Sequence, residues 1–518
     1  MNHFGVEKMW IADQGDGTYR NPILYTDYSD PDAIRVGEDY FMVASSFNNA
    51  PAVPLLHSRD LVNWKVINYC MEKLPSGRYE KPAHGCGAWA PAIRFHKGIY
   101  YVYVPLPDEG IFLCRTKDPF GKWEDPVCVK AYAGWIDPCP FWDEDGKAYM
   151  VNAFARSRIG FKNALYLSPL SEDGMTVPGD GEAGCFVYDG YATQPTIEGP
   201  KLYKRNGYYY IFAPAGGVKT GWQTVLRSRN IRGPYEEKIV MHQGSSPVNG
   251  PHQGAWVDTP YGEDWFLHFQ DVGNAGRIVH LQPMRWEDDW PVIGEDEDGD
   301  GCGEPVPCYR KPLTGDGETG EPDAPEDSDF FEGDRLGLQW QWNANFKEEW
   351  YDLKENCLNL YTQKKEASLP LCDVPSLLLQ KWPAPEFAVL SCLHLDGMED
   401  GDVCGMISLG GCYDSIVVCQ RDGKRVLQQR TGMISGKEEV TELGNFEGDT
   451  IYLRMVVEDS RRISWESGKT EKTMQRTGKK TEAAPGVWVG VKSGFVAVHE
   501  GEGKCGRLDA DAFMYEKI

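Results

Sequence analysis

Short apolar stretches alternate with polar turns along most of the chain, and helical periodicity is almost absent. In the segment 197–212, Glu198 is followed by a short apolar stretch, then by Asn206-Gly207 and an aromatic stretch. Asn-Gly between two apolar stretches is a strong signal for a β-hairpin. The pattern therefore predicts a protein built of short strands, with Glu198 near the start of one hairpin.

Five segments repeat the same order of features: a key residue, a short strand, a turn that contains glycine and an aromatic strand. They begin at Asp30, Ala90, Asp137, Glu198 and His252. Their starts are about 50 to 60 residues apart, a period typical of the blades of a β-propeller. Further apolar stretches between the segments supply the outer strands. Residues 1–293 are therefore predicted to form a five-bladed β-propeller.

The composition changes at residue 294, where an acidic stretch rich in proline and glycine begins. This composition predicts that residues 294–328 are a linker or a solvated loop. The acids at 295–300 lack the regular ligand spacing of a calcium loop, so calcium is not expected there. Strand patterns resume at Asp329, including an apolar stretch at 487–491. Residues 329–518 are expected to form an antiparallel β-sandwich, which makes the predicted fold all-β.

Charge and cysteine content narrow the functional classes. The 518 residues carry a formal net charge of −25, which disfavours binding to nucleic acid or to an anionic membrane surface. The 15 cysteines form no CxxC pair and no clustered metal pattern, so reduced thiols are expected. The first 16 residues contain no apolar stretch typical of a secretion signal. A cytoplasmic protein is expected, and a homo-oligomer is left open.

The repeat gives the key residues a shared location. The innermost strands of a propeller line its channel, so Asp30, Asp137, Glu198 and His252 are expected to converge there. Two facing carboxyl groups are the minimal equipment for glycoside hydrolysis, in which one donates a proton and the other activates water or attacks. An Asp before Pro is also a common opener of turns. His252 is either a buried core histidine or an axial ligand to a cation or a water.

Several blocks resemble glycoside hydrolase family 43. They are Asn21-Pro22-Ile23-Leu24, the stretch 28–40, Trp89-Ala90-Pro91, Trp135-Ile136-Asp137-Pro138, Glu198-Gly199-Pro200 and His252-Gln253-Gly254. The stretch 336–343 is similar to the β-sandwich that its β-xylosidase and α-L-arabinofuranosidase members carry.

The resemblance implies an inverting mechanism. Asp30 would be the general base, Glu198 the general acid, and Asp137 the residue that tunes the pKa of the acid. Arg277 would bind substrate hydroxyls, and aromatic walls for the sugar are expected at Trp89, Phe47 and Trp135. No cofactor is required, although the resemblance allows a bound Ca²⁺ near His252.

The expected reaction is the exo-acting release of a terminal pentose from arabinoxylan-type oligosaccharides. The opening block reads Tyr-Ser-Asp-Pro-Asp where many members have Tyr-Pro-Asp-Pro-Ser, and residues 8–17 look like a branch rich in α-L-arabinofuranosidases. An α-L-arabinofuranosidase is therefore favoured over a β-D-xylosidase. The rival hypotheses are a non-catalytic carbohydrate-binding propeller and a glycoside phosphorylase, which would need a cluster of arginines for phosphate.

Overall fold

The computed structural model describes residues 7–178, 184–313, 322–366 and 368–518, and they form two all-β units. A ring of five four-stranded antiparallel sheets is followed by two eight-stranded sheets, so the predicted propeller and sandwich are confirmed. Helix in the described residues is limited to α1 (Arg156–Ile159) and five single-turn 3₁₀ segments: Gly77–Glu80, Gly273–Ala275, Glu348–Trp350, Leu371–Asp373 and Glu471–Thr473. None of these helices could span a bilayer.

Each blade consists of four strands that follow one another along the chain. Blade 1 contains β2 (Asp32–Val36), β3 (Asp39–Val43), β4 (Ala52–Ser58) and β5 (Lys65–Met71). Blade 2 contains β6 (Ala92–His96), β7 (Ile99–Leu106), β8 (Gly110–Thr116) and β9 (Val127–Lys130). Blade 3 contains β10 (Trp135–Trp142), β11 (Ala148–Phe154), β12 (Ala164–Leu170) and β13 (Cys185–Asp189). Blade 4 contains β14 (Lys201–Arg205), β15 (Tyr208–Ala215), β16 (Trp222–Ser228) and β17 (Glu236–Met241). Blade 5 contains β18 (His252–Asp258), β19 (Asp264–Asp271), β20 (Arg277–Glu287) and β21 (Trp290–Ile293).

The hairpin between the two inner strands of each blade depends on a glycine. Asn206 and Gly207 have φ values of 50° and 73°, the left-handed pair that a tight two-residue hairpin needs. The other four inner hairpins turn through a glycine with positive φ: Gly37, Gly98, Gly146 and Gly262. Glycine adopts this conformation without a steric penalty, which explains why the repeat was visible in the sequence.

The ring closes between its last and first blades. Strand β18 packs against β2, and Leu24 exchanges backbone hydrogen bonds with Val279 of β20. A shared apolar cluster that includes the buried Trp64 and Trp265 fills the seam. The closure brings the start of β20 beside the start of blade 1, which places Arg277 next to Asp30.

The predicted linker is partly structured. Strand β22 (Cys308–Arg310) pairs with β1 (Thr18–Arg20), so this part of residues 294–328 packs on the propeller. Glu304 also exchanges backbone hydrogen bonds with Glu295. Residues 314–321 lie outside the described residues, and the exact domain boundaries stay a prediction.

The second unit has two sheets around one large core. Among its buried residues are Trp340, Trp382, Trp465 and Phe495. The first sheet contains β23 (Gln341–Trp342), β26 (Gln363–Lys364), β27 (Leu378–Lys381), β29 (Asp402–Leu409), β30 (Cys412–Arg421), β31 (Lys424–Met433), β32 (Glu439–Phe446) and β36 (Lys492–His499). The second sheet contains β24 (Tyr351–Lys354), β25 (Cys357–Tyr361), β28 (Phe387–His394), β33 (Thr450–Glu458), β34 (Arg462–Gly468), β35 (Gln475–Glu482), β37 (Arg507–Ala510) and β38 (Met514–Glu516).

The sandwich contacts the propeller on the side of the candidate site. The side-chain amides of Asn48 and Asn49 donate to the carbonyls of Asn343 and Trp342, at 2.7 and 3.0 Å. Residues 487–491 form a loop rather than the strand that their apolar pattern predicted. In this loop Gly490 N–H donates to Asp27 Oδ2 of the propeller at 2.8 Å. The sandwich therefore reaches the segment that leads into Asp30.

Candidate active site

A repeated backbone turn places the carboxylates. Asp30, Asp137, Gly199 and Gly250 each precede a proline and have φ values of 56°, 54°, 59° and 52°. Glu198 therefore lies one residue before the shared position, and His252 lies two residues after it. The expectation that all the key residues share one register is wrong in this detail. A non-glycine residue in this conformation is strained and is common at functional sites.

Asp30 is buried, with an exposure of 4%, and is held by three side-chain donors. The hydroxyls of Ser29 and Ser45 donate to its Oδ2 at 2.8 and 2.6 Å, and Arg277 Nη1 donates to Oδ1 at 3.0 Å. A carboxylate has about four lone-pair sites, so these bonds leave room for one further donor. The arrangement stabilises the ionised form and suits a group that binds a water molecule.

Arg277 is fixed from several sides at the start of β20. Its backbone N–H donates to Asp27 Oδ1 at 2.9 Å, and its guanidinium lies 4.7 Å from the centre of the Phe269 ring. The preceding Gly276 has a φ of 79°, and a Cβ there would lie 2.4 Å from Asp27 Cγ. Asp27 also accepts the bond from Gly490, so one buried carboxylate orients both Arg277 and the sandwich loop.

Asp137 is 2% exposed, and its Oδ2 accepts a hydrogen bond from Gly199 N–H at 2.8 Å. Burial, and next the negative charge of Glu198, raise the pKa of Asp137 to about 7. The ammonium of Lys201 opposes this rise in pKa. Asp137 and Glu198 are therefore close enough for the charge of Glu198 to favour the protonated form of Asp137.

Glu198 is more accessible, since 26% of its side chain is exposed. His252 Nε2 lies 2.8 Å from its Oε1. Among the described residues, no protein group is hydrogen-bonded to the other carboxyl oxygen. Glu198 is thus anchored through one oxygen and open through the other, as a group that acts on a ligand must be.

A layer of buried residues underlies the carboxylates, at the starts of the inner strands. Asp32, Ala92, Lys201 and His252 are the first residues of β2, β6, β14 and β18, and each has zero exposure. Asp32 accepts from Arg94 Nη1 at 2.7 Å, while Arg94 Nη2 contacts Cys139 Sγ at 2.8 Å, which ties three blades together. The ammonium of Lys201 has no hydrogen-bond partner among the described residues.

The aromatic residues predicted as walls occupy different environments. Trp89 is half-buried, and its ring centre lies 6.4 Å from that of Phe47 and 4.8 Å from that of Trp488 in the sandwich loop. Trp488 is 41% exposed. Trp135 is only 5% exposed and packs inside blade 3 against Tyr132, Phe154 and Tyr166. Phe47 is 3% exposed and thus as buried as Trp135, but its ring pairs with that of Trp89, whereas Trp135 belongs to an apolar core cluster. The ring contacts, rather than burial, therefore favour Phe47 over Trp135 as a wall.

Comparison with known proteins identifies the family. The model of glycosyl hydrolases family 43 matches residues 19–291, and that of the beta xylosidase C-terminal concanavalin A-like domain matches residues 328–516. The chain belongs to glycosyl hydrolase family 43. It is therefore a glycosidase, and the expectation drawn from the sequence blocks is confirmed. The hypothesis of a propeller without catalytic activity is not supported.

Three family 43 relatives show how far the similarity extends. A protein of Xylanibacter ruminicola, whose name provisionally assigns it as a beta-xylosidase, is 39% identical over 94% of this chain and 87% of its own length. A beta-xylosidase of Formosa agariphila is 30% identical over 98% of this chain and 91% of its own length. A non-reducing end alpha-L-arabinofuranosidase of Bacteroides ovatus is 28% identical over 82% of this chain and 80% of its own length.

A solved structure has the same two-unit architecture. The family 43 protein BlXynB of Bacillus licheniformis superposes with a TM-score of 0.81 at 26% identity, over 97% of this chain and 100% of that one. The arrangement of a propeller followed by a sandwich in this chain is therefore also found in a solved family 43 protein.

The residues around His252 do not make a calcium site by themselves. Its Nε2 faces Glu198, and its buried Nδ1 has no partner in the described chain. Calcium takes six to eight oxygen ligands. Within the described ranges, the groups of three or more His, Cys, Asp or Glu that could share an ion do not include His252. The positive charge of the Lys201 ammonium would also repel a cation placed nearby. A Ca²⁺ near His252 therefore remains a prediction that these residues do not support.

Sequence reasoning missed four residues that organise this family 43 site. Ser45 and Asp27 act through hydrogen bonds to Asp30 and Arg277, and neither lies in a motif. Lys201 follows the Glu198 block directly and could have been noticed as a charge at the start of an inner strand. Trp488 lies in the second domain, 399 positions from Trp89, and no local signal indicates their contact.

Proposed function

We propose that this family 43 chain is an exo-acting, inverting β-D-xylosidase that removes a terminal xylose from short oligosaccharides. The observation that carries the proposal is the difference in environment between two carboxyl groups. Asp30 is buried and clamped by Arg277 and two serines. Glu198 is anchored to His252 by one oxygen and has the other available.

Asp30 acts as the general base. Its three donors favour the carboxylate, and its remaining lone-pair site receives a hydrogen bond from the attacking water. In an inverting glycosidase the water attacks the anomeric carbon opposite the leaving group. The proton of the water passes to Asp30 while the bond from the anomeric carbon to the leaving oxygen breaks.

Glu198 acts as the general acid. Its accessible oxygen donates a proton to the departing sugar oxygen. Asp137 shares the negative charge of this pair, and its raised pKa shows that the environment disfavours two ionised groups. The proposed role of Asp137 is to hold a proton beside Glu198 near neutral pH. His252 orients Glu198, and no step requires a metal ion.

Action at chain ends would follow if the sandwich loop narrows the access to the carboxylates. The sandwich loop approaches the propeller closely: a Cβ on Gly85 would lie 2.8 Å from Val487. Trp488 adds an aromatic face beside Trp89. Aromatic faces suit the apolar side of a sugar ring. We propose that Trp89, Phe47 and Trp488 enclose one terminal sugar and that Arg277 binds its hydroxyls.

The choice of xylose departs from the expectation based on residues 8–17, which favoured arabinose. The two reported relatives that are at least 30% identical over more than nine-tenths of this chain are both named as beta-xylosidases. An α-L-arabinofuranosidase is the second candidate, since the Bacteroides ovatus relative carries that name.

The proposal is tested by assaying 4-nitrophenyl β-D-xyloside and 4-nitrophenyl α-L-arabinofuranoside side by side and by following the first-formed anomer by NMR. We expect a higher kcat/KM for the xyloside, with α-xylose as the first product. A preference for the arabinofuranoside would select the second candidate. Retention of configuration would overturn the mechanism, and inactivity on both would overturn the substrate class. Phosphate-dependent release of a sugar phosphate would show a phosphorylase instead.

A further inference from the structure

Three side chains with different donor atoms meet on the outer face of the second sheet of the sandwich. Cys392 and His394 are two residues apart on β28, so they point to the same side of the sheet. Leu393 between them is fully buried in the sandwich core, which places Cys392 and His394 on the opposite face. Asp511 follows β37 directly, and its backbone N–H donates to the Cys392 carbonyl at 3.2 Å.

The donor atoms are close enough to share one ion. One ligand atom from each residue lies within 4.8 Å of the other two. His394 Nε2 and Asp511 Oδ1 are 2.9 Å apart. Zinc bonds of about 2.0–2.3 Å in a tetrahedron separate their ligands by roughly 3.3–3.8 Å, so small side-chain rotations would close this set.

We propose that Cys392, His394 and Asp511 form a zinc site whose fourth position is open to solvent. A set of sulfur, nitrogen and oxygen donors suits zinc, whereas calcium and magnesium prefer oxygen alone. Cys392 itself is 2% exposed. The side chains of His394 and Asp511 are 35% and 45% exposed, which gives the ion an entry path.

The local backbone explains why the three residues stay together without an ion. Cys392 and His394 lie in a strand that pairs with β33 over eight residues, and Asp511 is tied to the same strand by its own N–H. Binding would exchange the Cys392 S–H bond for a bond to zinc and release that proton to solvent. A bound ion would join β28 to the segment between β37 and β38. The Cys392 thiol is hydrogen-bonded to Asp511 and Tyr452, and Asp511 also pairs with His394, so an ion would replace an existing hydrogen-bond network of the same three side chains.

The test uses the full chain after treatment with a chelator, with cobalt as the optical probe. We expect one equivalent of Co²⁺ to produce a thiolate-to-cobalt charge-transfer band and tetrahedral visible bands, and Zn²⁺ to abolish both. Cys392→Ser should remove the charge-transfer band. His394→Gln retains the thiol and should weaken metal binding by about tenfold or more. Cys412→Ser, a half-buried thiol in the other sheet, is the matched control and should leave the spectrum unchanged.

A second measurement is independent of the optical probe. At 100 times the dissociation constant of the parent chain, Zn²⁺ should raise the Tm by on the order of 5 °C in the parent chain and by about half as much or less in His394→Gln. The proposal is overturned if no charge-transfer band forms, if the band persists in Cys392→Ser, or if Cys412→Ser removes it. Should Cys392→Ser fail to fold, the His394→Gln titration decides, and unchanged affinity there also overturns the proposal.

Discussion

Asp137 Oδ2 accepts a hydrogen bond from the backbone N–H of Gly199, the residue that directly follows Glu198. One carboxylate of blade 3 thereby fixes the main chain that carries a carboxyl group of blade 4. Gly199 is required for this contact, because its φ is 59° and a Cβ would lie 2.8 Å from Gln253 Cγ. The bond couples the position of Glu198 to the protonation state of Asp137.

Asp137→Asn should therefore change how stability depends on pH. The pKa of Asp137 is raised from 3.8 to about 7 in the folded chain, so the folded state holds a proton that the unfolded state has lost. The free energy of unfolding of the parent chain then falls as pH rises from about 4 to about 7. Asparagine does not titrate, so the Tm of Asp137→Asn minus that of the parent should increase over this range and level off above it.

Thermal melts between pH 4 and pH 9 measure this difference. Asp298→Asn, on the exposed acidic loop, is the control for removing a carboxylate outside the candidate site. A difference for Asp137→Asn that does not vary with pH would show that Asp137 has an ordinary pKa in the folded chain.

The loss of activity in Glu198→Gln should depend on the leaving group of the substrate, because the proposed role of Glu198 is to protonate the departing oxygen. For xylobiose we expect kcat/KM to fall by about 10²- to 10⁴-fold. For 2,4-dinitrophenyl β-D-xyloside, whose leaving group needs little protonation, the loss should be much smaller. Asp30→Asn should reduce the hydrolysis of both substrates similarly, because water activation is needed in either case. Equal losses for both substrates in Glu198→Gln would contradict the assignment of the general acid.

The sequence predicted the parts of the fold that depend on local conformation. Asn206-Gly207 and the other glycine turns predicted the inner hairpins, because the positive φ they supply is a local requirement. The loop that contains Trp488 was predicted as a strand, since Val487, Val489 and Val491 alternate in the manner of one. Its conformation is instead set by contacts with the propeller, including the bond from Gly490 to Asp27. Tertiary contact overrode the local pattern there.

The sequence predicted which residues form the candidate site but not how they are arranged. Asp30, Asp137 and Glu198 were found through their blade repeat, and the repeat placed them on one axis. The one-residue offset of Glu198 is visible when the prolines at 31, 138, 200 and 251 are aligned, whereas an alignment on the charged residues hides it. The hydrogen bond from Ser45 to Asp30 spans 15 positions and that from Gly490 to Asp27 spans 463, and neither distance matches a regular repeat. The hydrophobic periodicity of the sequence gives no signal for such contacts.

Lys201→Met should move the alkaline limb of the pH–rate profile. The ammonium of Lys201 lowers the pKa of Asp137, so its removal should raise that pKa further. If the Asp137–Glu198 pair must hold a proton for catalysis, activity should then persist to higher pH. The measurement is kcat/KM from pH 5 to pH 10. Lys204→Met is the control, because Lys204 of blade 4 pairs with Asp143 of blade 3 at 2.6 Å. A downward shift of the alkaline limb would contradict the proposed role.

Trp488→Ala tests whether the sandwich contributes to the substrate pocket. The ring centre of Trp488 lies 4.8 Å from that of Trp89 at an angle of 76°, an edge-to-face contact that holds the Trp89 ring in place. Such a pair contributes about 0.5–1.5 kcal/mol, so kcat/KM should fall roughly 2- to 12-fold, mainly through KM.

Two controls separate lost packing from general destabilisation. Trp488→Phe keeps an aromatic edge near Trp89 and should retain most of the activity. Tyr261→Ala removes an exposed ring on a turn of blade 5 and should leave KM unchanged. If Trp488→Ala matched the parent chain in both KM and kcat, the loop would serve only to hold the two units together. A higher KM with an unchanged Tm would instead show that the second unit forms part of the pocket.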